Sequence, residues 1–142
     1  MKILVALAVS ILLASSSNTT ELPDGRDAWR DACNLSGYSC FGLRRPYIAR
    51  APLVGLYGRY HMGDMYILVN ENISGNLAYG VAVHEMVHYL QYKRGAWTYT
   101  LANSCKMERE AFDVSNAVFR RLGDTADVVD WNTMRLGYGC SQ

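Results

Sequence analysis

Three polar side chains interrupt an otherwise apolar run. His84, Glu85 and His88 lie in LAYGVAVHEMVHYLQ, residues 77–91, and apart from tyrosine hydroxyls no other polar side chain occurs between Leu77 and Leu90. A helix that is apolar on nearly every side is a buried helix. An imidazole or carboxylate buried without a partner is strongly disfavoured, so these groups need strong partners, and a bound cation is one. Residues four apart stack on one helix face, which aims the two imidazoles at a single point. Nitrogen ligands at roughly 2.0–2.1 Å suit Zn2+, which completes a tetrahedron with a carboxylate and water. Glu85, one residue on, projects beside such an ion and is placed to accept a proton rather than to ligate. With three His and five Glu in the chain, this spacing is improbable by chance. The plainer alternative is a pair of hydrogen-bonded core histidines with an ion-paired Glu85.

Two histidines are too few, because a catalytic zinc takes three protein ligands and keeps a position open. The segment KMEREAFD, residues 106–113, offers Glu108 and Glu110. Helical periodicity groups Glu108 with Ala111, Phe112, Ser115, Phe119 and Leu122, an apolar stripe that should face the core. Glu110 aligns with Asp113, Ala117 and Arg121 on a wetter face. Glu108 is therefore the expected third ligand and Glu110 the alternative. Either residue also reads as an exposed acid near a helix N-terminus, where the dipole favours it.

His84-Glu85-Met86-Val87-His88 followed by Glu108 resembles the zincin metallopeptidases whose third ligand is glutamate, the gluzincins. Glu108-Arg109-Glu110-Ala111 resembles their E-x-x-A motif. The extension to Gln91, the cysteine near the start of the next helix (Cys105) and Phe112 resemble small secreted bacterial metallopeptidases. The resemblance spans about residues 66–122 and is specific at the two motifs. It implies one Zn2+ per chain on His84, His88 and Glu108, with Glu85 as general base. It further implies hydrolysis of peptide (amide) bonds in a peptide or protein substrate, and a strand over residues 66–70 at the edge of the cleft, pairing with that substrate. Many gluzincins carry Asp or Asn four residues after the ligand glutamate. Phe112 stands there, with Asp113 and Asn116 nearby, so the partner that orients a ligand histidine is unassigned. His61, Tyr99 and Tyr138 are candidate oxyanion donors by residue type alone.

The surrounding elements must position these groups. Lys2, the apolar residues 3–14 and the small residues 14–17 read as a secretory signal over residues 1–16, too short to span a bilayer. One domain, residues 17–142, would then be secreted or periplasmic, with no membrane association after cleavage. In an oxidising compartment Cys33, Cys40, Cys105 and Cys140 favour two disulfides; Cys33–Cys40 with Cys105–Cys140 is the preferred of three pairings, and a four-Cys zinc site lacks the close-set pairs it needs. Asn18, Asn34 and Asn72 begin N-x-S/T triplets. A charge of +1 without a Lys/Arg stripe argues against a nucleic-acid partner, and 19% charged residues excludes a disordered chain. Oligomeric state is not set by the sequence.

Expected elements are a helix over residues 24–32 with Trp29 inward, strands and turns over 33–63, and a strand over 65–69. A turn over 70–76 follows, with Ser74 or Asn76 as helix cap. Helices are expected over 77–93, from 103 or 104 to 123, and over 125–135. Strands first and helices second make a small single-domain α+β fold, of minimal zincin-like kind by the resemblance. Two readings compete with the peptidase. One is a secreted binding or inhibitory module with a structural or relic zinc site, using the aromatic residues 38–66 as its face; the other is a hydrolase acting on a cell-wall amide.

Overall fold

The computed structural model describes residues 25–141, so the signal segment lies outside the described residues. Along the chain run α1 (Gly25–Leu35), β1 (Tyr47–Ala51), β2 (Gly58–Tyr60), β3 (Tyr66–Asn70), α2 (Gly75–Lys93), α3 (Leu101–Arg121) and α4 (Trp131–Gly137). This is the expected small α+β domain.

The sheet has the order β1-β3-β2, with β1 parallel and β2 antiparallel to β3. The strand expected at the cleft edge, residues 66–70, is therefore central. Its β-branched Ile67 and Val69 are buried, register with Ile48 of β1 and Gly58 of β2 respectively, and so pair on both sides. The edge beside α2 belongs to β2, a three-residue strand in a stretch rich in glycine and proline. Asn70 fixes the loop before β2. Its amide donates to the carbonyls of Leu53 (2.7 Å) and Leu56 (2.8 Å), and its Oδ1 accepts from the Asn72 N–H.

Helix α2 is the spine of the domain. Ala82, Val83, Met86, Val87, Tyr89 and Leu90 are buried around its circumference, as the apolar run requires. It starts at Gly75, two residues before the expected position. Ser74 stands at the cap with extended backbone but makes no side-chain capping bond. Gly95, at φ 70°, ends it in the left-handed conformation that suits glycine.

Helix α3 packs antiparallel on α2. Phe119 near its C-terminus presses on Gly80 near the start of α2, where an added Cβ would come within 2.1 Å of the ring. The helix begins at Leu101 rather than at 103 or 104, because Thr100 takes the capping role and accepts from the Asn103 N–H. Asn103 instead braces the preceding loop through Thr98 N–H (2.6 Å) and the Ala96 carbonyl (3.0 Å). Leu122, expected on the inward stripe, lies past the helix end and is 41% exposed.

One further expectation needs correction. The last helix covers 131–137, not 125–135. Residues 124–130 are irregular because the Asn116 side chain exchanges two 2.7 Å hydrogen bonds with the Val129 backbone, and Asp130 then caps α4 through Asn132 N–H. In α1 Ala28, Asp31 and Ala32 are buried, and Trp29 packs inward against the core as expected, half-buried and edge-on to Tyr89. Asp31 accepts from Arg121 twice (2.6 and 2.7 Å) and from the Tyr79 hydroxyl (2.5 Å), which joins α1, α2 and α3. The disulfides are Cys33–Cys40 and Cys105–Cys140, the preferred pairing. Among the described residues no helix is long and apolar enough to cross a membrane.

Candidate metal centre

One turn of α2 separates His84 and His88, and their Nε2 atoms lie 3.1 Å apart. Helix α3, crossing antiparallel, brings Glu108 against both. Its Oε2 is 3.3 Å from His84 Nε2 and its Oε1 is 3.4 Å from His88 Nε2. The donor atoms all fall within 4.8 Å of one another and form a group able to hold a metal ion, the one such group among the described residues. His84 and His88 are 9% and 7% exposed. Glu108 Oε2 is a buried carboxylate oxygen that accepts no hydrogen bond. An orphaned anionic oxygen 3.3 Å from an imidazole nitrogen, on a carboxylate whose other oxygen faces a second imidazole, fits a cation better than it fits bulk protein.

Electrostatics agree with that fit. Burial would raise Glu108, but His84 and His88 beside it outweigh that and hold the carboxyl well below the usual carboxylate range. Burial likewise opposes charge on His88, yet the Glu108 carboxylate beside it pushes the imidazole up to about 9. The pocket favours positive charge.

Glu110 is not part of the triad. Its Oε2 accepts from the Tyr38 hydroxyl (2.6 Å) and from the Gln91 amide (3.2 Å), and Lys106 Nζ is 3.8 Å from its Oε1. Burial and then the Glu110 carboxylate drive the Tyr38 phenol upward. Gln91 supplies the partner of His88 that the sequence left unassigned, with its Oε1 2.8 Å from His88 Nδ1. Asp113 is exposed on α3, and Asn116 is committed to Val129.

Glu85 borders the sheet edge. Gly58 of β2 sits so close that an added Cβ would meet Glu85 Cγ and Oε1, each at 2.9 Å. Aromatic rings wall the rest of the site. Phe112 packs on His84 with ring centres 4.4 Å apart, and Trp97 lies 5.7 Å from His88 with its indole N–H buried and unpartnered. Phe112 in turn meets Trp131 and Tyr138, which stack on each other. Of the three candidate donors, only Tyr138 reaches this region. Burial, then the carboxylates of Glu108 and Glu85, push its phenol up to about 12. His61 is exposed and paired with Asp64 (3.3 Å), and Tyr99 is 89% exposed.

Sequence reasoning missed Gly58 and the roles of Gln91 and Trp97. Gln91 carried a usable signal, a polar residue three after His88 on a buried helix. Gly58 carried none, since its role depends on a strand pairing. The chain matches no family model, no curated protein and no solved structure.

Proposed function

We propose that the protein is a secreted zinc-dependent peptidase of the kind the gluzincin-like motifs imply. One observation carries the reading. The two imidazole Nε2 atoms lie 3.1 Å apart and each faces its own carboxylate oxygen of Glu108, at 3.3 Å for His84 and 3.4 Å for His88, separations close to the roughly 3.3 Å between neighbouring ligands of a tetrahedral ion with 2.0–2.1 Å bonds. Among the described residues no fourth donor joins the group, which suits a catalytic site more than a closed structural one.

In this reading His84, His88 and Glu108 hold the ion. Bound zinc supplies a water of pKa near ~7 and polarisation of the scissile carbonyl. Glu85 takes the proton of the attacking water and delivers it to the leaving amine. Tyr138, protonated at neutral pH, donates to the oxygen that gains charge. The outer edge of β2 offers backbone groups to an extended substrate, and Gly58 keeps that edge close to Glu85. The two disulfides suit an oxidising compartment.

A binding module with a structural ion is the second reading, favoured by exposed Phe41, Val54 and Tyr57 in the aromatic segment. Metal analysis with peptide hydrolysis separates the two. Wild type should hold one zinc per chain, lost in His84→Ala and Glu108→Ala. Glu85→Gln should keep zinc and lose about 10²–10⁴-fold in hydrolysis, the usual worth of a general base. Zinc binding without hydrolysis of any peptide library would favour the binding module. Wild type that takes up no zinc would remove the peptidase and leave a binding module whose ion site is a relic.

A further inference from the structure

We infer that Gln91 is a positioning residue that sets both the ring state of His88 and the spacing of the two helices bearing the metal donors; this rests on the metal-centre reading above. Gln91 is fully buried, and every polar atom of its side chain is committed. Its Nε2 donates to the Met107 carbonyl at 2.9 Å and to Glu110 Oε2 at 3.2 Å. Both partners only accept, so the amide cannot turn over without losing two hydrogen bonds. Its Oε1 must then face His88 Nδ1, at 2.8 Å. An amide oxygen only accepts as well, so Nδ1 carries the hydrogen. In the neutral ring that ligates a cation, the Nε2 lone pair is then the free one, on the side of His84 and Glu108 where a ligand lone pair is needed.

The same amide measures the gap between helices. Met107 precedes Glu108 in the chain, so a hydrogen bond from α2 to the Met107 carbonyl fixes where α3 presents its carboxylate. Glu110 extends the anchor to the loop closed by Cys33–Cys40, through the Tyr38 hydroxyl. One side chain therefore orients a histidine and registers a glutamate on another helix.

The test uses Gln91→Met, which keeps the volume and removes every hydrogen bond, and Gln91→Glu, which keeps the acceptor toward His88 and loses the donors toward α3. Two quantities are read: zinc affinity by chelator competition, and the His88 Nδ1–H resonance of the zinc-loaded protein by 1H–15N NMR. Gln91→Met should bind zinc roughly 10–100-fold more weakly than wild type and lose the resonance to solvent exchange. Gln91→Glu should keep the resonance and bind zinc more tightly than Gln91→Met. A folded Gln91→Met with wild-type affinity and an unchanged resonance would overturn the inference alone. If Gln91→Met does not fold, Gln91→Glu decides: a protected Nδ1–H supports the assignment and its absence overturns it. Wild type that binds no zinc overturns the metal-centre reading, and this inference with it.

Discussion

Gly58 and Glu85 are in contact across the junction of sheet and helix, and the contact exists because residue 58 has no side chain. A methyl group there would lie 2.9 Å from Glu85 Cγ and 2.5 Å from Val81 Cγ1. The φ of Gly58 is not in the left-handed region, so the requirement is one of space. Gly58→Ala should therefore displace Glu85 while leaving the donors on the far side of the helix turn in place. The expected outcome is unchanged zinc content, a stability loss of about 1–3 kcal/mol from overpacking, and a fall in peptide hydrolysis on the order of 10²-fold. Metal analysis beside a kinetic assay checks it. Full activity in the variant would show that Glu85 tolerates displacement and is no base.

Tyr138, just past the end of α4, packs on Phe112 and Trp131 and lies within the electrostatic reach of Glu108 and Glu85. With its phenol pushed up to about 12, it holds its proton through neutral pH and can donate. Tyr138→Phe preserves the stack with Trp131 and removes only the hydroxyl. If the hydroxyl stabilises developing charge, kcat should fall by about 10²-fold, with KM and zinc content little changed. An unaltered kcat would leave the ring as wall and nothing more.

Stability should depend on pH through Asp31, which lies well away from the metal centre. The Arg121 guanidinium outweighs burial and, with the Tyr79 hydroxyl, holds the Asp31 carboxyl below its ordinary value. A depressed pKa contributes stability above the unfolded-state value of about 3.9, and that contribution is lost as pH falls through the folded-state value. Asp31→Asn should cost about 1–2 kcal/mol at pH 7, a figure reduced because Arg121 is half exposed. The gap between the two proteins should hold steady down to about pH 5 and narrow below about pH 4. Denaturant melts at several pH values measure it; a gap that widened in acid would refute the assignment.

What could be read from the sequence followed the range of the forces involved. The α2 donors were legible because four-residue spacing on an apolar helix is a local pattern. Glu108 rather than Glu110 facing the histidines was legible because Ala111, Ser115 and Phe119 mark the inward side of α3. Groups defined by long-range pairing were not. Gln91 finds Met107 and Glu110 only when α3 lies antiparallel on α2, and Glu110 reads as solvated until the loop bearing Tyr38 folds over it. Strand β2 is too short for any period to declare it, and with it missing, β3 was assigned to the edge. Residues 125–130 look helical until Asn116, from a neighbouring element, claims the backbone of Val129.

The bridge from Cys105 to Cys140 has a consequence for when the site becomes whole. It closes a span of 35 residues, which in chain-entropy terms is worth about 4 kcal/mol. Within that span lie Glu108, Phe112, Trp131 and Tyr138. A reduced chain retains His84, His88 and Glu108 on two packed helices, but the arm bearing Tyr138 is then held only by side-chain contacts and the Asn116–Val129 hydrogen bonds. The Cys105–Cys140 bridge thus ties the segment carrying Trp131 and Tyr138 back to α3. With that bridge open, His84, His88, Glu108 and Phe112 stay on α2 and α3, while Trp131 and Tyr138 lose their covalent tie to the site.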